Sequence, residues 1–310
     1  NPRFRVLSGT QLYSTDGTAT NGAAQITGAW QNDPAGATAW SDFRVTLLDH
    51  ADDTPADRYG DDYLAGGAHD DVIFGQLGTD VIQGDGSIDL TVSAGRNAAG
   101  DLVVAPSQEN AATDGDDYIE GGGGTDTIFG NLGRDDIIGG SSSLFSLTTP
   151  SQRPDGADLI FGGAGLDIGR NDDTPGHGRD SDAIVGDNGT IYRIVTAGGT
   201  GYRTFAYDNY GGPANERLIP RAVDLLDYTP GGPDWPTYAG DIYGDDEIHG
   251  ESGDDTVYAG AGNDVIFGDA GDDDLIGGWG HDWISGGTGI DGILGDDGRI
   301  FTSRNGATEP

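Results

Sequence analysis

The chain contains no cysteine, no methionine and no lysine. Without cysteine there is neither a disulfide nor a thiolate metal site. Without lysine all 15 basic residues are arginine, and no side-chain amine is present to receive an amide cross-link. Methionine is absent even at position 1, so the chain reads as a processed or excised piece of something longer. No apolar run approaches the roughly 20 residues that span a bilayer, and no signal peptide is present. No segment has the periodicity of an amphipathic helix. Catalytic signatures are missing too. There is no His-Glu-x-x-His and no Gly-x-Ser-x-Gly, and the histidines (His50, His69, His177, His249, His281) are scattered. The sequence is therefore read as non-enzymatic. Positive charge is scarce: 15 basic residues face 53 acidic ones, giving a net charge of -38. Such a chain repels phosphate, which excludes nucleic acid as a partner.

What is present is glycine, 57 residues of it, and a nine-residue period. The form is Gly-Gly-x-Gly-x-Asp-x-apolar-x. Three copies run back to back from Gly268 to Ile276, Gly277 to Ser285 and Gly286 to Leu294. A fixed period marks a solenoid whose units pack on their neighbours. Six residues of each unit form a turn and three form a short strand, whose central residue points inward. Those central residues are Leu64, Ile73, Ile82, Ile119, Ile128, Ile137, Ile248, Val257, Ile266, Leu275, Ile284 and Ile293, all aliphatic, as a narrow core between two parallel sheets requires. Two units make one coil, and turns on one side stack about 4.8 Å apart.

The spacing predicts an all-β chain in which parallel β-roll blocks alternate with antiparallel strand or hairpin insertions. The expected divisions are a β-rich lead-in over 1–56, a first roll block with its cap over 57–92, a connection over 93–113 and a second block over 114–194. That block is interrupted at 141–154 and 171–179. A hairpin and loop lead-in follows over 195–238, a third block with its cap over 239–301, and a tail over 302–310. Similar caps close the blocks: Gly84-Asp85-Gly86-Ser87-Ile88, Gly186-Asp187-Asn188-Gly189-Thr190-Ile191 and Gly295-Asp296-Asp297-Gly298-Arg299-Ile300. Tyr-Gly-Asp-Asp opens two blocks, at Tyr59 and Tyr243. Phe43, Val45 and Leu47 alternate as in a half-buried strand, and the runs Thr190–Val195 and Tyr202–Tyr207 read as a hairpin. Trp279 and Trp283 are expected on an exposed face. Asn188-Gly189-Thr190 is a glycosylation triplet by chance, because it falls inside a cap.

The sixth position of each unit is aspartate. Stacked turns set these carboxylates in columns that repel one another, and a divalent cation between turns removes the repulsion. The candidate ligands are Asp62, Asp71 and Asp80; Asp117, Asp126 and Asp135; Asp158, Asp167 and Asp182 in the irregular units; and Asp246, Asp255, Asp264, Asp273, Asp282 and Asp291. Backbone carbonyls of the turn complete the shell. Oxygen-only donors select Ca²⁺ over Zn²⁺ or Cu²⁺, and several calcium ions are expected. Two units depart from the pattern: Gly169 stands at an apolar position, and His69 at a glycine position.

On these repeats the chain resembles the RTX family, the glycine- and aspartate-rich calcium-binding repeats (hemolysin-type) of secreted bacterial proteins. The resemblance implies a parallel β-roll, folding triggered by calcium after export, and an extracellular or cell-surface setting. It identifies no activity. The expectation is a calcium-stabilised structural module, repeated in an adhesin, surface layer or fibre. The alternative is an accessory roll of a secreted hydrolase or toxin whose catalytic part lies elsewhere. Strand-prone residues after the last cap suggest head-to-tail assembly, with 300–310 of one copy on 1–48 of another.

Overall fold

The computed structural model describes residues 7–8, 25–26, 45–169, 180–193, 219–229, 240–300, 303–304 and 307–308. Among them there is no α-helix, only the 3-10 turn Pro150–Gln152. Two parallel sheets of seven strands dominate. The first contains, in spatial order, Tyr63–Ala65, Val81–Gln83, Thr127–Phe129, Leu159–Phe161, Glu247–His249, Val265–Phe267 and Trp283–Ser285. The second contains Val72–Gly78, Tyr118–Gly124, Asp136–Ile138, Ala183–Val185, Thr256–Gly262, Asp274–Gly280 and Gly292–Leu294. The fold class expected from the repeat is the one observed. All three runs of repeats enter the same two sheets, in chain order.

The central residue of each strand faces the opposite sheet. Ile82, Ile119, Ile128, Ile137, Ile160, Ile184, Ile248, Val257, Ile266 and Leu275 form one continuous buried core, with Leu64, Ile73 and Ile284 against it. The coils approach so closely that glycine is required in the turns. Gly280 has φ of +134°, and a side chain there would run into the carbonyl of Gly262. At the C-terminal end the core opens, and Ile293 is 46% exposed.

The insertions clad the outer faces. On the first sheet, Val92 and the antiparallel strands Ser93–Arg96 and Leu102–Ala105 cover Phe129 and Phe161. Rings stack along this face: Phe129 on Phe161 at 4.8 Å, Phe161 on His249 at 5.1 Å, and His249 on Phe267 at 4.7 Å. On the second sheet, Phe145, Ile191, Val45, Leu47, Val223 and Leu225 pack over Tyr118, Ile138, Ala183 and Val185.

Several local expectations are corrected. Gly189–Arg193 pairs antiparallel with Arg221–Leu225, a partner some 30 residues away across Thr190↔Asp224. The run Tyr202–Tyr207, residue Phe43 and the loop 171–179 lie outside the described residues. Val45 and Leu47 pack as apolar residues do but belong to no strand. Trp279 is buried near the end of its strand, with Tyr228 edge-on to it at 6.5 Å. Trp283 is 63% exposed, as expected. Asn188 is buried as a pin: its Oδ1 accepts from the Ser141 N–H at 2.7 Å and its Nδ2 donates to the Arg153 carbonyl at 2.9 Å.

Candidate metal centre

The repeat sets one aspartate immediately before each strand, and coil stacking brings these residues into two ladders. On one side the backbone N–H of Asp62 donates to Oδ1 of Asp80, Asp80 to Asp126, Asp126 to Asp158, Asp158 to Asp246, Asp246 to Asp264, and Asp264 to Asp282. On the other side Asp71 donates to Asp117, Asp117 to Asp135, Asp135 to Asp182, Asp182 to Asp255, Asp255 to Asp273, and Asp273 to Asp291. Every N···O distance lies between 2.6 and 3.2 Å. The ladders bring together fourteen of the fifteen candidate aspartates.

Each ladder bond uses one carboxylate oxygen. The other oxygen, Oδ2, is buried and accepts no hydrogen bond in Asp80, Asp126, Asp135, Asp158, Asp182, Asp246, Asp255, Asp264 and Asp273. A buried anionic oxygen without a partner is costly, so nine in register demand an explanation. Their surroundings supply one. A methyl group added at Gly130 would overlap both Oδ2 of Asp135 and the carbonyl of Gly162. Gly121 stands in the same way between Asp126 and the Gly139 carbonyl, Gly250 between Asp255 and the Gly268 carbonyl, and Gly268 between Asp273 and the Gly286 carbonyl. Bare glycine α-carbons thus leave a cradle with an anionic oxygen and a carbonyl oxygen on its wall. That donor set suits a hard cation such as calcium. Among the described residues no three His, Asp or Glu side chains form a metal-holding group, so backbone carbonyls have to supply much of any shell.

The electrostatics point the same way. Burial pushes the carboxyl of Asp80 up to about 6, and those of Asp126 and Asp246 to about 7, against the pull of the donated N–H. Burial and the neighbouring Asp246 push Asp264 to about 9. Asp135, Asp158, Asp182, Asp255 and Asp273 are held well above the usual range, by burial first and by other carboxylates second. The folded roll without cations holds its aspartates against their charge.

Asp167 stands outside both ladders. Its N–H, with those of Gly165 and Leu166, donates to the buried carboxylate of Glu251, at 2.9, 2.5 and 3.0 Å. Gly169 removes the apolar residue that would seat a strand here, and the segment folds as a turn about Glu251 instead. The period alone does not single out Glu251. It also passes over Asp85 and Asp187, the second residues of the first two caps. Asp85 accepts the N–H of Gly115 at 3.1 Å and Asp187 that of Gly244 at 2.8 Å. The sequence signal for these two is the recurrence of the cap itself.

At one level of the roll, cations are already built in. Nε of Arg193 and of Arg221 each lie 2.8 Å from the buried Asp136 carboxylate, and Arg193 also reaches Asp116 at 3.1 Å. Arg221 donates to the Ser181 carbonyl at 3.0 Å and to the Asp135 carbonyl at 3.4 Å.

The family model for the RTX calcium-binding nonapeptide repeat (4 copies) matches residues 58–90, 112–142, 155–168, 243–275, 260–293 and 276–299. A search of curated proteins found no match, and a search of solved structures found none.

Proposed function

We propose that this chain, which carries RTX calcium-binding nonapeptide repeats, is a structural module whose roll is completed by several calcium ions held along the two aspartate ladders. The observation that carries the reading is the row of nine buried Oδ2 atoms without hydrogen bonds, eight of them over a glycine cradle. The ligand residues would be the fourteen ladder aspartates together with carbonyls of the turns. Bound calcium would supply the positive charge that lets neighbouring carboxylates ionise at one spacing. Asp167, engaged in the Glu251 turn, contributes least. No catalytic role is proposed.

The setting that fits is extracellular and bacterial, in an adhesin, surface layer or fibre built from repeated copies joined head to tail. Support comes from the repeat family. No helix among the described residues is long and apolar enough to cross a membrane. The test is circular dichroism at pH 7 during calcium titration: a cooperative gain of β signal is expected, and equal β content in excess chelator overturns the reading. Calorimetry should show a larger loss of calcium affinity for Asp264→Ala and Asp273→Ala than for Asp167→Ala.

A further inference from the structure

The roll contains two joints at which the chain leaves and a later run resumes the stack. At the first, Gly115 re-enters on Asp85; at the second, Gly244 re-enters on Asp187. The chemistry is the same at both. The cap aspartate takes the N–H of the glycine in a Gly-Asp-Asp start. The strands then continue in register, Val72–Gly78 with Tyr118–Gly124 at one joint and Ala183–Val185 with Thr256–Tyr258 at the other. Backbone N–H groups of the new coil close the seam, from Tyr118 to the Asp71 carbonyl at 3.0 Å and from Glu247 to the Asp158 carbonyl at 2.9 Å. Both joints are buried: Asp85, Asp187, Gly115 and Gly244 are all inaccessible.

The third cap has the same Gly-Asp beginning, but no described residue re-enters on it. Asp296 is exposed, and the strands beside it, Trp283–Ser285 and Gly292–Leu294, are the last in their sheets. Ile293, a core residue by position, is 46% exposed, and Ile290 is 82% exposed. The cap is held ready, since the Tyr228 hydroxyl donates to the Asp297 carboxylate. At the opposite end, Tyr59-Gly60-Asp61-Asp62 repeats the residues of Tyr243-Gly244-Asp245-Asp246. Gly60, Asp61 and Asp62 are exposed, and the strands they lead to, Tyr63–Ala65 and Val72–Gly78, are the first in their sheets. Among the described residues, one end of the roll thus carries a cap without a start, and the other a start without a cap.

We propose that the C-terminal end of the roll seats the N-terminal end of the roll of a second copy, with the Asp296 carboxylate receiving the N–H of the second copy's Gly60. The strand Val72–Phe74 of the second copy then extends Gly292–Leu294, Tyr63–Ala65 extends Trp283–Ser285, and Ile73 covers Ile293. The two aspartate ladders run on across the seam, so the contact needs the same cations as the roll. It is heterologous and propagates. This rests on the reading that copies assemble head to tail, and specifies which surfaces meet.

The absence of cysteine allows a direct test. Fifth positions of successive coils lie one above the other: the N–H of Ile290 donates to Asp272 at 2.9 Å, one coil away. Such neighbours are within disulfide reach. Asp272→Cys with Ile290→Cys should therefore cross-link within one chain, as a positive control. Asp70→Cys with Ile290→Cys should give a ladder of disulfide-linked oligomers under oxidation in millimolar calcium, and Ala99→Cys with Ile290→Cys only monomer. Asp296→Ala, at an exposed position, should leave the β signal unchanged and lower the polymer fraction at least fivefold in sedimentation. If the wild-type chain polymerises but Asp70→Cys with Ile290→Cys gives no ladder, the end-on seam is wrong and head-to-tail assembly survives through other surfaces. If the wild-type chain stays monomeric in calcium, the assembly reading and the seam fall together.

Discussion

The second run of repeats and the end of the third obey one sequence rule and live in different surroundings. In the second run, Ile119, Ile128, Ile137 and Ile160 are fully buried, and insertions cover both outer faces. From residue 281 onward the coils are largely bare, with Trp283, Ile290 and Ile293 exposed. Yet the third run is the unbroken one in sequence, and the second is interrupted. The interruptions are what provide the cladding. A regular repeat therefore marks where the roll is legible, whereas an irregular one marks where it is best protected.

The largest expected effect concerns charge and involves both regions. The carboxyls of Asp80, Asp126, Asp246 and Asp264 sit above their ordinary value of 3.8 in the folded roll. Raised carboxyls favour the folded state when protonated. Without divalent ions, stability should therefore be greatest below about pH 4. It should then decline as pH rises through about 6 for Asp80, about 7 for Asp126 and Asp246, and about 9 for Asp264. Chelated protein should keep its β signal at pH 4 and lose it by neutral pH, where added calcium restores it. A chelated β signal that strengthens from pH 4 to pH 8 contradicts this assignment.

Core truncation separates the two regions next. Ile137→Ala should cost about 2–5 kcal/mol in urea unfolding with calcium present. Ile293→Ala, at the open end, should cost under about 1 kcal/mol by the same measurement. Equal costs would mean that the last coil is as enclosed as the middle ones.

Ion pairs follow. Arg221→Ala removes one of two guanidinium groups from a fully buried carboxylate, and should cost about 3 kcal/mol. Arg96→Ala breaks the half-exposed pair with Glu247, and should cost at most about 1 kcal/mol. The smallest change is Trp283→Ser, at an exposed site, which should stay within about 0.5 kcal/mol of the parent. A larger loss in the assembled form than in the monomer would place Trp283 in a contact between copies.

Much of the roll could be read from the sequence, because its determinants are local. The inward aliphatic and the sixth-position aspartate recur at fixed spacing, and each acts on the coil next to it. That spacing led to Ile137 and Asp135 without knowledge of the fold. It did not lead to Glu251, whose role depends on a turn more than 80 residues away in sequence. Nor does it show the pairing of Gly189–Arg193 with Arg221–Leu225, because that partner lies some 30 residues on and is brought there by packing on the second sheet. Trp279 was misplaced for a similar reason: its exposure depends on Tyr228, which an insertion delivers. The charge of Asp167 looked like that of its neighbours, and only the missing apolar residue at Gly169 distinguished its unit.

The aspartate ladder also sets how the molecule would yield under tension. On one side, neighbouring rungs are 18 residues apart between uninterrupted coils, 46 apart across the first joint, 32 apart across the interruption of the second run and 88 apart across the second joint. Pulled from its ends, the roll peels coil by coil, beginning where Ile293 is least enclosed. Each ordinary coil then releases about 60 Å of extended chain, whereas the two joints release about 150 and 300 Å when their insertions go with them. A force–extension trace should show small even steps, an intermediate one at the interruption of the second run and two long ones, an arrangement that dissipates mechanical work before the last coils part.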